Sequence, residues 1–436
     1  MNNLLIIIPH PDDETNLAGN IMGRLTQNWN VYILYSSLDV RPQYAEIRKK
    51  EAVDACGVWG IPASNIFFLG VPDTPNKCKT HVFLDVEVHK SIVRRIKDII
   101  NEIKPEYILG TDFDFHSDHR MLSLVFDEAV CDVVKELPDY FPIVLKGFCY
   151  ETAYYGVEDY SITDFKKCVP KYPVMSNPAY EWDKRVSIGG DDNARFIWKR
   201  KAYKALACHQ SQYAILHAKS IINADNVFWI KDTGNLALRS NIITSSGNPE
   251  PLNDFKVLDT DDIFTLETKG IDFSKGVWMP DDDDENPVIL IKLPKVQNVK
   301  RIIIHGNPET SCVVKVDGKI EVGEKEILFK AIKPYGQENS IEINAIDVEC
   351  IKIRFFDISK AIHLGFGISE IEIFDIEKQL PLWFQDNSDN QIGRELMHKW
   401  VIRLIESIGY RMIVFKTKIE RKMKKTMNLR KRKYDL

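Results

Sequence analysis

The stretch Leu4-Leu5-Ile6-Ile7-Ile8-Pro9-His10-Pro11-Asp12-Asp13-Glu14 decides how this chain is read. Five apolar residues without a charge read as a buried strand of a parallel sheet. In an open α/β sheet the ligand site lies just beyond the carboxyl ends of the strands. An imidazole and three carboxylates are therefore delivered to the edge where such folds keep their chemistry. Histidine with carboxylate suits zinc or another borderline divalent metal, and a spare carboxylate can act as a base. Glu14 reads as a first-turn charge favoured by the helix dipole, not as a ligand.

Strands and helices alternate outward from this stretch. Val31–Ser36 and Ile66–Leu69 read as strands, and Ala45–Cys56 reads as a helix closed by Gly57. Val86–Ile103 has helical spacing through Val88, Ile92, Ile96 and Ile99, and Tyr107–Leu109 is a further short strand. The pattern predicts an α/β fold, a doubly wound and mostly parallel sheet. Behind the last of these strands stands a second cluster, Asp114-Phe115-His116-Ser117-Asp118-His119-Arg120. Two histidines three apart face one site if the segment turns into a helix there. A catalytic zinc takes three protein ligands and keeps a position for water. His10, Asp13 and His119 meet that requirement, leaving Asp12 and His116 for proton transfer. Zinc is the expected metal, one per chain, and iron(II) suits the same donors.

These two blocks resemble the signature of the LmbE/PIG-L family of zinc-dependent N-acetylglucosaminyl deacetylases, an N-terminal (P/A)-H-(P/A)-D-D paired with H-x-D-H. The resemblance implies a Rossmann-like fold, with zinc on His10, Asp13 and His119. It implies Asp12 as general base, and His116 as the group that stabilises the transition state and protonates the leaving amine as an imidazolium held by Asp118 or Asp114. Further blocks match. Arg48-Lys49-Lys50-Glu51 resembles the family's R-x-x-E helix, and Phe68 to Asp73 its substrate-side loop. Lys204 to Gln212 resembles its K-x-x-A-x-x-x-H-x-S-Q block, which includes His209. Arg48 and Asp73 are thus expected at the substrate, with a structural ion pair, or Arg48 restraining Asp12, as the alternatives; Asp114, Asp118 and His209 are expected behind the reacting groups. Two departures stand out. Ser117 replaces a proline, and the family's Thr-x-Gly element is absent around Ser36 to Val40, which bears on the identity of the substrate.

Residues 1–247 are expected to form this catalytic domain. From 248 to 380 the helices give way to short strands: Val288–Leu293, Arg301–Ile304, Cys312–Val316, Glu326–Phe329, Ile351–Phe356 and Ile371–Phe374. Asp317-Gly318 is a strong hairpin signal. The texture predicts a β-sandwich. With Trp278 and the acidic loop Asp281–Glu285, it resembles discoidin-like or galactose-binding-like domains, which bind glycans or dock on a catalytic partner. The acidic loop itself reads as a solvated loop, with calcium as the minor alternative.

The third segment, 391–436, places an apolar helical stripe before Arg411 to Lys433, where eleven Lys and Arg stand against one Glu. An anionic membrane surface is the leading partner for it, ahead of a solvated helix. Nucleic acid is disfavoured by sparse aromatic interleaving and by the overall net charge of -5. Eight cysteines without a CxxC pair exclude a zinc ribbon and a disulfide framework and suit a reducing cytoplasm. The expected location is cytoplasmic, at the inner face of the plasma membrane if the tail engages it. The expected activity is removal of the N-acetyl group from an N-acetylated sugar or glycoconjugate in cell-surface glycan assembly. The alternatives are a zinc amidase on another amide, or a glycan-binding scaffold without catalysis.

Overall fold

The computed structural model describes residues 2–73, 86–112, 116–149, 181, 184, 186–190, 197–221, 225–258, 276–376, 408–409 and 411–423. Asp114, and residues 391–407, 410 and 424–436 of the tail segment, lie outside them.

The N-terminal half carries a sheet in the order β3-β2-β1-β4-β5-β7-β6. β1 (Asn3–Ile8), β2 (Asn30–Leu38), β3 (Ile66–Pro72), β4 (Tyr107–Thr111) and β5 (Ile143–Gly147) run parallel. β6 (Val186–Gly189) and β7 (Asp225–Asp232) close the edge antiparallel. The fold is α/β with a mostly parallel sheet. β1 is central, and its side chains divide between the two faces: Leu4, Ile6 and Ile8 enter one apolar cluster, Leu5 and Ile7 the other. Burial on both faces explains why this strand has no polar alternation.

Helices follow the strand ends. α1 (Asp13–Ala18) comes directly after the β1 loop, and α2 (Met22–Asn28) leads into β2. α3 (Pro42–Gly57) and α4 (Val86–Ile103) complete the crossovers, α5 (Ser117–Glu136) opens just beyond β4, and α6 (Lys201–Cys208) precedes His209. The order reverses at β1, whose neighbours are β2 and β4. The crevice at such a switch point is where this architecture binds ligands.

The C-terminal half is an antiparallel sheet in the order β11-β10-β12-β9-β13, with β8 (Asn241–Thr244) added to β9. β9 (Val288–Gly306) and β12 (Glu338–Phe356) are nineteen residues each, and bulges interrupt their pairing. Val288–Leu293 and Arg301–Ile304, expected as separate strands, are the two ends of β9. Residues from both ends, such as Ile289 and Ile304, enter one apolar cluster, so the sheet bends over itself to enclose a core.

The hairpin expected at Asp317-Gly318 is not there. Both residues lie inside β10 (Val314–Val322), beside a bulge, and a Cβ on Gly318 would come within 2.1 Å of the Phe329 ring. That glycine makes room for an aromatic ring. The chain instead turns at Gly323-Glu324 into β11 (Lys325–Ile332), with Gly323 at φ 57° and Val322 paired to Lys325. A positive φ in a two-residue hairpin is the step that needs glycine.

The expected boundary after residue 247 falls behind β8, and β8 is hydrogen-bonded into the C-terminal sheet. The Asn235 side chain bonds the Ile371 carbonyl at 3.3 Å and the Ile373 amide at 2.8 Å of β13 (Ile368–Phe374), and the Phe255 amide donates to Glu370 at 3.0 Å. Trp278 is fully buried in the core of this domain, with its Nε1 donating to the Ser246 carbonyl. In the acidic loop, Asp284 accepts the Ser245 and Ser246 hydroxyls at 2.6 Å each. Among the described residues no helix is long and apolar enough to cross a membrane.

Candidate metal centre

Three loops meet beyond the ends of β1, β3 and β4. Asp13 Oδ2 is the hub. It lies 3.2 Å from His10 Nδ1 and 3.3 Å from His119 Nε2, and it also accepts the His10 amide at 3.0 Å. The centroids of the His10, His116 and His119 rings are 5.0, 5.5 and 4.9 Å apart. His10, Asp13 and His119 are almost wholly buried.

These contacts fit a metal. Zinc holds nitrogen and oxygen donors at about 2.0–2.2 Å in a tetrahedron, which sets neighbouring donors roughly 3.3 Å apart. The spacing about Asp13 matches. A histidine ligand normally hands its second ring nitrogen to a carboxylate, and His10 Nε2 lies 2.9 Å from Asp118 Oδ2. Asp118, expected beside His116, thus serves His10: its carboxylate is 3.9 Å from His116 Nδ1, and it is the Asp118 amide that donates to that nitrogen, at 3.2 Å. Cys149, which sequence reading left among the scattered thiols, brings its sulfur within 4.8 Å of the Asp13 and His119 donor atoms. It lies just past β5, and only the parallel pairing of β4 and β5 reveals it.

Electrostatics separate the three histidines. Burial disfavours the charged form of His10, but the carboxylates of Asp118 and Asp13 outweigh it and raise the group to about 9. Burial, then His119 and His10, push His116 down to about 2, so the imidazolium expected there is disfavoured. Its Nδ1 accepts a hydrogen bond, which leaves Nε2 as the N–H donor of a neutral ring. Burial would raise the Asp13 carboxyl, yet His119 and His10 hold it well below the usual range.

Asp12 occupies the N-cap position of α1 without a capping hydrogen bond from its side chain. Its φ is 115°, a region that non-glycine residues rarely adopt. Such outliers persist where the surroundings over-determine them, often at functional sites. Here the constraint is Glu14. Its carboxylate accepts the Asp12 amide at 2.9 Å, the Tyr35 hydroxyl at 3.0 Å and the Thr15 hydroxyl at 2.8 Å, and it pairs with His209 Nε2 at 2.8 Å. Glu14 does stand in the first turn of α1, as expected, and it is fully buried there. Burial raises its pKa, but His209 and the hydrogen bonds bring it below the ordinary value.

Helix α3 ties the remaining blocks together. Arg48 Nη1 pairs with Asp73 at 3.0 Å while Nη2 donates to the Pro11 carbonyl at 3.1 Å. One turn later Glu51 accepts the Ser211 amide and hydroxyl at 2.7 Å each. The buried Arg48 and the partly exposed Asp73 therefore meet each other, and Asp73 also stands 3.7 Å from His10 Nε2. Burial raises the Asp73 pKa, and His10 and Arg48 oppose that rise.

Comparison with known proteins agrees with this geometry. Residues 5–130 match the family model PIG-L, described as GlcNAc-PI de-N-acetylase. A probable N-acetyl-alpha-D-glucosaminyl L-malate deacetylase 2 from Bacillus cereus is 30% identical over 152 residues, covering 31% of this chain and 62% of that protein. The N-acetylglucosaminyl-phosphatidylinositol de-N-acetylase of Bos taurus is 36% identical over 73 residues, 16% of this chain and 29% of that protein. The chain thus spans less than two thirds of either relative. Among solved structures, a conserved protein from Thermus thermophilus aligns over 34% of this chain and 67% of its own, at 21% identity and a TM-score of 0.26. At that score the likeness carries no weight, and the fold rests on the strand pairing above. From the family match and the loops after β1 and β4, the N-terminal part of this chain is a PIG-L/LmbE family domain, followed by a C-terminal β domain.

Proposed function

We propose that the chain is a metal-dependent N-deacetylase of a glucosamine-type N-acetylated sugar or glycoconjugate. The observation that carries this reading is Asp13 Oδ2 standing between His10 and His119 at donor spacing, with Asp12 held by its backbone beside them. His10, Asp13 and His119 would hold the metal. When bound, zinc supplies a water acidic near neutrality and a Lewis acid for the amide carbonyl.

The chain's own groups do the rest. Asp12 accepts the proton of the attacking water as its oxygen bonds to the acetyl carbon. His116, neutral and with its proton on Nε2, donates a hydrogen bond to the developing oxyanion. The C–N bond then breaks, the proton held by Asp12 passes to the departing nitrogen, and acetate and a free amine leave. His10 is held in orientation by Asp118, and Arg48 fixes both Asp73 and the Pro11 carbonyl that precedes Asp12. We assign the partly exposed Asp73 to the sugar hydroxyls, with the buried Arg48 behind it.

Cell-surface glycan assembly is the setting this chemistry suits. A zinc amidase on a different amide is the second reading. It rests on Ser36 to Val40, where the chain departs from the family pattern, and the Ser37 amide there bonds the Pro9 carbonyl at 2.8 Å, next to the His10 loop. The test is metal analysis of the purified chain together with acetate release from N-acetylated monosaccharides, nucleotide sugars and glycolipids. One equivalent of metal with acetate from any of them supports the proposal. Metal with no acetate favours the amidase, and absence of metal overturns both.

A further inference from the structure

The helix over 411–423 presents Met412, Phe415, Ile419 and Met423 to solvent, at 67%, 67%, 42% and 59% exposure. Spacings of three, four and four residues put them on one face, and Ile408 is exposed as well. This face is not what attaches the helix to the protein. The opposite side does that: Thr417 is buried, and the Arg421 guanidinium lies 5.5 Å from the centre of the Tyr213 ring. Gly409 sits so close to Trp198 that a Cβ there would come within 2.4 Å of the indole. A contiguous apolar stripe left in water on a docked helix marks an interaction surface.

The charges say what covers it. Arg411, Lys418 and Lys422 border the stripe on one side and Lys416 on the other; the single acid of 411–423, Glu420, lies 4.0 Å from Lys416. The sequence continues with Lys424, Lys425 and Arg430 to Lys433. An apolar stripe edged by cations is the design of a helix lying in a bilayer interface. A polyanionic nucleic acid would use the cations and leave Phe415 and both methionines wet. A second copy would bury the stripe but bring like charges together along its edges.

We propose that this helix seats the chain on an anionic lipid bilayer, with Met412, Phe415, Ile419 and Met423 entering the interface and the bordering cations meeting lipid headgroups. Tyr213, on which the helix rests, is four residues past His209, so the helix stands between the bilayer and the segment that braces Glu14 behind the site. The proposal stands apart from the deacetylase reading, since binding is read without turnover.

Co-sedimentation of the full chain with phosphatidylcholine vesicles, with and without phosphatidylserine, tests it. The chain is expected to pellet with the phosphatidylserine vesicles alone, and less at high salt. Replacing Phe415→Asp together with Met412→Asp abolishes binding while the urea midpoint stays put, because both side chains are already exposed. Arg411→Gln with Lys418→Gln removes two cations and weakens binding about thirty-fold, given the worth of a cation near an anionic surface. Ile419→Asp serves as an independent variant on the same face. No binding by the wild type, equal binding to neutral vesicles, or stripe variants that bind as before would each overturn the proposal. So would stripe variants that turn a dimer into a monomer while vesicle binding persists.

Discussion

Two buried polar centres of this chain, one around Lys146 and one around His10, are balanced differently. Where the two domains meet, Lys146 lies 2.9 Å from both Asp127 oxygens and 3.7 Å from Asp112, and Lys231 lies 2.9 Å from Asp127. Lys146 also donates to Ser123, and Lys231 to the Phe255 carbonyl. Two cations meet two carboxylates, and the spare donors find oxygen. At the strand ends beside His10 the count is otherwise. Among the described residues, the carboxylates of Asp13, Asp73 and Asp118 meet the imidazoles of His10, His116 and His119 and one paired guanidinium, that of Arg48. A network matched within the protein holds the fold, because its burial is already compensated. A network short of positive charge is compensated by something the chain binds, and a divalent cation supplies what His10, Asp13 and His119 lack.

Substitutions can break the contrast. The largest effect is expected from Asp13→Ala, which removes the hub: metal content falls to background, and acetate release with it. Asp12→Asn keeps the metal and lowers kcat by about 10²–10⁴-fold, the range of general-base removal. Retention of activity by Asp12→Asn would exclude the role given to that carboxylate. Asp127→Asn strikes the matched centre, leaving two buried lysines short of a partner, and is expected to cost about 3–5 kcal/mol in urea denaturation. Metal content should be unchanged there, and a metal loss would show that the centres are one network.

Glu14→Gln sharpens the comparison. It keeps the shape of the side chain but weakens the pairing with His209 and the hold on the Asp12 amide. A fall in kcat of about 10–100-fold with metal retained is expected of a residue that orients the reacting groups. Unchanged kcat would reduce Glu14 to a packing role.

The smallest effect concerns pH. Burial, Asp254 and Glu372 raise the Glu370 carboxyl well above its ordinary 4.5. In the unfolded chain it loses its proton first, so its contribution to stability falls as pH rises from 4.5 toward the raised value. His305 is raised from 6.5 against its burial by Glu372. Its contribution is full below 6.5 and is lost as pH rises through the raised value, which is the same sign. Stability in urea should decline from pH 5 to pH 8, with a slope on the order of 1 kcal/mol per pH unit at most for one group. Glu370→Gln should flatten that slope, leaving the part carried by raised histidines such as His305 and His10. An identical slope in the variant would remove Glu370 from the account.

Much of the site was legible because it is local. His10 to Glu14 and His116 to His119 are short blocks behind apolar strands, and strand-end loops converge wherever the strands are parallel. What was misread needed distant partners. Glu14 was legible as a first-turn charge, but not its pairing with Tyr35 and His209. Asp118 lies next to His116 in sequence but gives its carboxylate to His10, since the first turn of α5 points it across the crevice. Asp317-Gly318 carried a turn signal, yet Phe329 across the ladder claims that glycine for space.

The sequence by itself determined the α/β class, the parallel order that brings two histidine blocks to one edge, the change to an all-β second half, and the donor types suited to a divalent metal. These follow from hydrophobic periodicity and side-chain chemistry, which are local. Only the tertiary structure decided that Asp13 is the hub, that Glu14 holds the strained Asp12, that Cys149 joins the cluster, and that the stripe of 411–423 faces outward. Each depends on contacts between segments far apart in the chain, and such contacts are set by packing and by the need to pair buried polar groups.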